Sequence, residues 1–217
     1  MMLFAAEGTL TGLGTESNPY IIKTENDFKS IQDGIKGGKS YKNKYFRLES
    51  DIKLSSSWEP LGTLKERADK PGNGTNILPF SGNIDGNGHT LTFAKGSKPL
   101  FGYVRDAKVS NLNIFGTYID GYGLVENYVV DYGKDGKNWT DDDPKAVITA
   151  EKVTIKSGTR IHQSGFLGGY ASGIDHADFT NCTIEQGVTI GCNIDGTSAG
   201  LSNIGSFGGA LNGTIKN

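Results

Sequence analysis

Several features that would point to common protein classes are missing from this sequence. Only two of the 217 residues are cysteines, too few for the disulfide framework of a small secreted domain. Lys and Arg number 22 against 24 Asp and Glu, so the composition offers no positive surface for nucleic acid. No apolar run approaches the ~20 residues that a membrane-spanning helix needs. Nucleic-acid partners and membrane insertion are therefore not expected.

The motifs of common catalytic classes are also absent. The chain has no phosphate-binding loop, no nucleophile elbow and no His-Glu-x-x-His zinc motif. His176, beside Asp175 and Asp178, could form a small metal or acid–base cluster, but neighbouring strand residues point to opposite faces, which disfavours it. We therefore predict a protein that is not an enzyme and binds no cofactor.

Glycine is abundant, with 32 residues, and it recurs beside large apolar side chains. Phe80 and Phe101 stand 21 positions apart in this pattern, and Phe101 and Leu124 stand 23 apart. Repetition at this spacing is typical of a solenoid. We predict an all-β fold, a right-handed parallel β-helix, with residues 12–217 as a single domain. Residues 1–11 are expected to be a signal-peptide remnant or a disordered N-terminus, and the C-terminus is expected to be truncated from a longer protein.

A short helix is predicted at about 24–37. Thr24 suits the N-cap, and Phe28, Ile31 and Ile35 share one face at helical spacing. Such a helix would cover the first coil of the solenoid, whose strand edges would otherwise be open to pairing.

Asparagines occur where the strand alternation slips. Val109, Leu112 and Ile114 alternate inward around Asn111, and a later segment repeats this pattern around Asn181. We predict that Asn111, Asn181 and Asn217 occupy corners, where stacked amides can serve one another and the turn backbone.

Two polar insertions interrupt the coils, at about 63–78 and 128–145. Exposed aromatic side chains on a loop that leaves a rigid scaffold are typical of a binding patch. The candidate ligand-binding residues are Trp139, Tyr132, Tyr128 and Tyr122; packing of the loop onto the solenoid is the alternative. Asp135, Asp141 and Asp143 could supply oxygen ligands to calcium, but their spacing does not fit an EF-hand, and a solvated loop is the expected interpretation.

Stacked carboxylates on neighbouring coils could imitate the acid pair of a glycosidase, since strands lie roughly 4.8 Å apart. This alternative makes the chain a carbohydrate-active hydrolase or lyase. Most of the candidate carboxylates lie in glycine-containing turns, where an Asp side chain commonly accepts hydrogen bonds from the turn backbone. The candidates are Asp85, Asp106, Asp120, Glu126, Asp175, Asp178 and Asp195.

The two cysteines, Cys182 and Cys192, could pair, although the strand pattern favours Cys182 as a small buried apolar residue.

Several segments together resemble the N-terminal region of bacterial cell-surface proteins that carry the GLUG repeat. Gly165-Phe166-Leu167-Gly168 is similar to the repeat itself, with Phe in place of its Leu. The other matching segments are Asn18-Pro19-Tyr20-Ile21-Ile22, Phe46-Arg47-Leu48, Trp58-Glu59-Pro60-Leu61-Gly62 and Phe80-Ser81-Gly82-Asn83-Ile84-Asp85-Gly86-Asn87-Gly88.

The resemblance implies a secreted or wall-attached bacterial protein in which such coils serve as adhesin stalks or as accessory domains, including beside peptidases that cut immunoglobulin. We therefore expect a non-catalytic extracellular β-helix domain of an adhesin, with a host glycan or host protein as partner. An assembly module that pairs with another chain, or with a second copy, through an open C-terminal coil is a further alternative.

Overall fold

The computed structural model describes residues 10–64, 77–128, 148–167, 176–201, 205–207 and 212–216. These residues form one helix and sixteen strands. In chain order the elements are β1 (Tyr20–Ile22), α1 (Glu25–Lys36), β2 (Tyr45–Leu48), β3 (Ile52–Leu54), β4 (Thr63–Leu64), β5 (Ile77–Leu78), β6 (Asn83–Asp85), β7 (Thr90–Phe93), β8 (Phe101–Val104), β9 (Ala107–Gly116), β10 (Val125–Tyr128), β11 (Ile148–Ile155), β12 (Arg160–Ile161), β13 (His176–Thr180), β14 (Thr183–Ile184), β15 (Thr189–Ile190) and β16 (Asn212–Lys216).

The largest sheet runs in the order β1, β2, β6, β9, β11, β13, β16, while β3 and β9 flank β7 and β14 pairs with β11. Two smaller parallel pairs, β8 with β10 and β12 with β15, lie beside it. The strand pair β4 with β5 is antiparallel. The fold is thus mostly β, with parallel sheets and one helix among the described residues, which confirms the predicted class at that level.

One apolar row runs through the main sheet. Register places Phe46, Ile84, Val109, Ala150 and Phe179 side by side on five successive strands, and each is at most 1% exposed. Because paired residues of parallel strands share a face, these side chains line one continuous core. The alternation that predicted Val109, Leu112 and Ile114 as inward is confirmed.

The helix lies where the sequence predicts it. Thr24 accepts a hydrogen bond from the Asp27 amide, and the Asp27 carboxylate accepts one from the Thr24 amide, which makes a capping box. Phe28, Ile31 and Ile35 are fully buried. The rings of Phe28 and Trp58 pack in a T-shaped arrangement with their centroids 5.6 Å apart. The helix packs against β1 and β3 and so covers the start of the stacked strands.

Glu25 joins the helix to the end of β3. Its carboxylate accepts hydrogen bonds from the Ser55 amide at 2.9 Å and the Ser55 hydroxyl at 2.7 Å, and the Lys29 ammonium lies 3.2 Å away. Burial raises the pKa of Glu25, but the contacts with Ser55 and Lys29 lower it more, so that the pKa lies below its usual value of 4.5.

This lowered pKa predicts a specific acid sensitivity. A carboxyl group with a lower pKa in the folded state stabilises the fold above its unfolded pKa, and the stabilisation is lost as the pH falls through the folded pKa. We expect Glu25→Gln to lower the free energy of unfolding at pH 7 and to flatten its decline below about pH 4.5, measured by urea unfolding at several pH values. Glu16→Gln, in the exposed loop before β1, is the control. An unchanged acid slope in Glu25→Gln would contradict this role.

The recurring glycine phrase is stacked, although Phe80 and Phe101 are not register partners. Phe101 pairs with Val125, which in turn pairs with Leu167. Phe80, however, pairs with Val104, and Leu61 is the residue opposite Phe101. Phe80 therefore lies on the segment next to β8, as the spacing predicts, but its register partner is Val104 and not Phe101. Leu61 and Phe80, on either side of the first insertion, both pair with β8.

The glycines of the phrase have a steric reason that the spacing did not reveal. A Cβ atom on Gly123 would lie 1.8 Å from the carbonyl oxygen of Gly165, and one on Gly165 would lie 1.9 Å from that of Ser206. Side-chain atoms cannot approach backbone this closely. At Gly123 and Gly165, adjacent segments of backbone approach this closely only because neither glycine has a Cβ atom.

Two of the three predicted corner asparagines have left-handed backbone, and they do not stack on each other. Asn111 has φ 49° and Asn181 has φ 53°, the left-handed region that Asn tolerates best among residues with side chains. Register places Lys152, with φ 54°, between them. The Asn111 amide instead donates to the Asp85 carboxylate at 3.0 Å. Asn217 lies outside the described residues.

The insertions are described only at their bases. Residues 63–78 start and end as the antiparallel pair β4 and β5, and residues 65–76 lie outside the described part. The second insertion, predicted at 128–145, begins at the last residue of β10, and residues 129–147 lie outside the described part. Cys182 and Cys192 are both free thiols. Cys192 is buried, whereas Cys182 is half-buried, with its pKa raised by burial.

Candidate functional site

A shallow groove crosses the solvent-facing side of the main sheet. Its volume is about 370 Å³. It crosses strands β2, β6, β9 and β11, which at ~4.8 Å per strand makes it about 14 Å long. A wall is added by Glu16 and Pro19 in the loop before β1.

Two rows of outward side chains form the floor of this groove. Register places Tyr45, Asn83, Lys108 and Thr149 in one row and Arg47, Asp85, Ser110 and Glu151 in the other. These residues alternate along their strands with the buried row of the core. The floor is therefore polar because the same strands bury their apolar side chains on the opposite face.

Three charged side chains of the groove floor form hydrogen bonds or ion pairs with their neighbours. The Arg47 guanidinium donates to the side-chain oxygen of Asn87 at 2.7 Å and lies 4.0 Å from Asp85. Asp85 also accepts from the Asn87 amide at 2.9 Å. The Glu151 carboxylate lies 3.3 Å from Lys152. Lys108 is exposed and makes no ion pair with the described residues.

Three of the predicted carboxylates have other partners or lie in a turn. Asp120 pairs with Lys98 at 2.9 Å, and this hydrogen bond raises the pKa of Lys98. Asp195 accepts from the amide and hydroxyl of Thr197, which lowers the pKa of Asp195. Asp106 occupies a turn at φ 52°.

The other carboxylates of that set are distributed over separate elements. Glu126 lies half-buried in β10, and Asp178 lies in β13, opposite Thr149 of the groove's first row. Asp175 lies outside the described residues, and the His176 side chain is likewise not described. Within the described ranges, no group of three or more His, Cys, Asp or Glu residues could hold a metal ion.

Two of the four predicted ligand-binding aromatic residues lie in the described part of the chain. Tyr122 is half-buried and Tyr128 ends β10. Trp139 and Tyr132 lie outside the described residues, as do the calcium candidates Asp135, Asp141 and Asp143. Whether these residues bind a ligand stays a prediction.

The other described histidines have structural partners. The ring of His89 lies 3.2 Å from the Asp51 carboxylate, and the Thr90 amide, which donates to the same oxygen, lowers the pKa of Asp51. The ring of His162 lies 3.1 Å from the Cys192 carbonyl. These contacts link the turns of adjacent strands.

Sequence reasoning did not identify the groove. Tyr45 and Lys108 belong to separate strands and stand 63 positions apart. Alternation shows that each points outward, but only the strand register shows that they lie in one row. In the described segments, no helix has both the length and the hydropathy needed to cross a membrane.

Comparison with known proteins adds little to these observations. No family model and no curated protein matches the chain. A solved structure similar to it is the "putative immunoglobulin A1 protease from Bacteroides ovatus", with a TM-score of 0.37 and 16% sequence identity over 82% of this chain. The chain spans 65% of the length of that structure. A likeness this distant carries no functional assignment.

Proposed function

We propose that this chain is a non-catalytic extracellular module of a bacterial surface protein, built as a right-handed parallel β-helix. Its role is to hold binding surfaces on a stiff support. The observation that carries the proposal is the unbroken parallel register from β1 to β16 over one apolar row. Stacked strands of this kind make an elongated support in which each coil contacts only its neighbours.

Two further observations support the architecture. Successive strands of the main sheet pair in parallel although other strands intervene in sequence, and parallel crossovers are right-handed in about 98% of cases. The GLUG-like segments coincide with buried positions: Phe46, Leu61 and Phe80 are each at most 1% exposed. The resemblance is therefore carried by packing residues, which favours a structural role.

A non-catalytic role is supported by the duties of the described carboxylates. Asp85, Asp120 and Asp195 accept hydrogen bonds from neighbouring turns or form ion pairs. A glycosidase pair needs one carboxyl group to protonate the leaving oxygen and a second to act as base or nucleophile. Carboxylates that already accept hydrogen bonds in separate turns are poorly placed to fill these two roles at one glycosidic bond.

Turnover of polysaccharide is the direct test. We expect the chain to release no reducing sugar from pectins or host glycans above the level of an Asp85→Asn, Asp120→Asn double variant. Release that disappears in the double variant would overturn the non-catalytic proposal in favour of a carbohydrate-active enzyme. Surface location is tested separately, by labelling intact cells of the source bacterium with antibody against the chain; label only after lysis would contradict it.

Self-association at the C-terminal end stays a proposal that one observation favours. Ile215 continues the buried row beyond Phe179, yet it is 54% exposed. An exposed apolar position at the end of a core row suits a further strand from another chain. Sedimentation as a monomer at high concentration would remove this proposal.

A further inference from the structure

We propose that the groove across β2, β6, β9 and β11 is a binding site for a linear, uncharged glycan that lies along the stacking direction of the strands. The site is built without the predicted aromatic residues and depends on neither insertion. The proposal goes beyond the scaffold function. The two share only the expectation that the chain does not cleave its ligand.

The backbone of the groove excludes one common class of ligand. Each of its four strands has a partner on both edges: β2 lies between β1 and β6, β6 between β2 and β9, β9 between β6 and β11, and β11 between β9 and β13. An extended peptide that adds to a sheet needs a free edge. The groove therefore recognises its ligand through side chains alone.

The charges exclude a second class. Arg47 and Lys108 are balanced by Asp85 and Glu151 on the floor, and Glu16 stands on the wall. A polyanion such as a nucleic acid would meet three carboxylates and two cations. The carboxylates would repel its phosphates, and only two cations could displace counterions from it. A strongly cationic ligand would meet Arg47 and Lys108. This mixture suits a ligand without net charge.

The polar groups of the floor match hydroxyl groups. A sugar hydroxyl donates one hydrogen bond and accepts others, and the floor offers donors on Arg47, Lys108 and Ser110 beside acceptors on Asp85 and Glu151. The half-buried ring of Tyr45 adds an apolar surface at one end, on which the C–H face of a pyranose can pack.

The repeat of the floor also fits a polymer. Each row offers a new side chain at every strand, at ~4.8 Å intervals, which is comparable to the advance of one sugar unit in an extended glycan. The Arg47 and Asp85 side chains are held by Asn87 and Asn111. Groups that are fixed before binding lose less conformational entropy when the ligand arrives.

Two tyrosine substitutions test the site. Ser110 lies at the centre of the groove floor, and Thr180 lies in the same outward row, two strands away and outside the groove. Ser110→Tyr fills the groove without touching the core, and Thr180→Tyr places the same side chain on the same face beside it. Tyr is well accepted on a strand, so both variants are expected to fold.

Binding is measured by NMR titration of the ¹⁵N-labelled chain with linear hexasaccharides of β-1,4-glucose, β-1,4-N-acetylglucosamine and β-1,4-mannose, with α-1,4-galacturonate as the charged counterpart. We expect at least one neutral glycan to shift amides of β2, β6, β9 and β11. Its affinity should fall at least tenfold in Ser110→Tyr and stay within twofold in Thr180→Tyr. Raising the salt from about 0.05 M to about 0.5 M should change its affinity little.

Several results would overturn the proposal: no neutral glycan binds, the shifts map elsewhere, Ser110→Tyr binds like the unchanged chain, or galacturonate binds more tightly in a salt-sensitive manner. Chromatography of the glycan after titration separates this proposal from the scaffold function. A bound but shortened glycan would contradict the non-catalytic function and keep the groove as the site, whereas an intact, unbound glycan would contradict the groove alone.

Discussion

Gly123→Ala is expected to prevent folding or to lower the free energy of unfolding by at least about 3 kcal/mol, at the upper end of overpacking effects. The new methyl group would lie 1.8 Å from the Gly165 carbonyl oxygen and 3.0 Å from a side-chain methyl of Ile155. The nearest contact is backbone, which cannot rotate away. The pairing of Val125 with Leu167 next to it would have to open.

A matched glycine separates this steric effect from the cost of backbone conformation. Gly88 has φ +79° and open space where a Cβ atom would lie, so Gly88→Ala should lose only about 1–2 kcal/mol from its left-handed conformation. Both variants are compared by urea unfolding followed by circular dichroism. Equal stability of the two variants would show that the close approach at Gly123 does not exist in solution.

Phe80→Ala is expected to lower the free energy of unfolding by about 3–5 kcal/mol, the usual range for a fully buried Phe. Phe80 is 0% exposed, and its ring lies 5.5 Å from the ring of Phe101 and 5.8 Å from that of Phe46. Truncation would leave a cavity between the rings of Phe46 and Phe101, because close-packed neighbours relax only in part.

Two variants bracket the Phe80 result in the same urea experiment. Phe80→Leu keeps most of the volume and should lose clearly less than Phe80→Ala. Leu13→Ala, at a side chain that is 66% exposed, should stay within about 0.5 kcal/mol of the unchanged chain. A loss below about 1 kcal/mol for Phe80→Ala would contradict its place in the core.

Local features of the fold were predictable. Thr24, Asp27 and the apolar face of α1 specify the helix through neighbours within four residues of one another, and the corner at Asn111 follows from a slip in alternation that Asn tolerates. The burial of Val109 and Ile114 follows from the period of a strand. Each of these depends on interactions within a few residues, which the sequence order itself displays.

Features that depend on register were not predictable. The spacing does not show that Phe80 pairs with Val104, or that Leu61, from before the insertion, lies opposite Phe101. The expected amide stack between Asn111 and Asn181 failed because Lys152 occupies the intervening corner. The groove was missed for the same reason: its rows join residues whose partners are set by the lengths of the segments between strands.

By itself, the sequence determined which residues turn, which face inward and where the helix lies, because propensity and alternation act over a few neighbouring positions. Only the tertiary structure decided which strand lies beside which. That choice placed Gly123 against Gly165 and brought Tyr45, Asn83, Lys108 and Thr149 into one row. Pairing between distant strands is selected by the packing of the whole core, since each shift of register would turn buried side chains toward water.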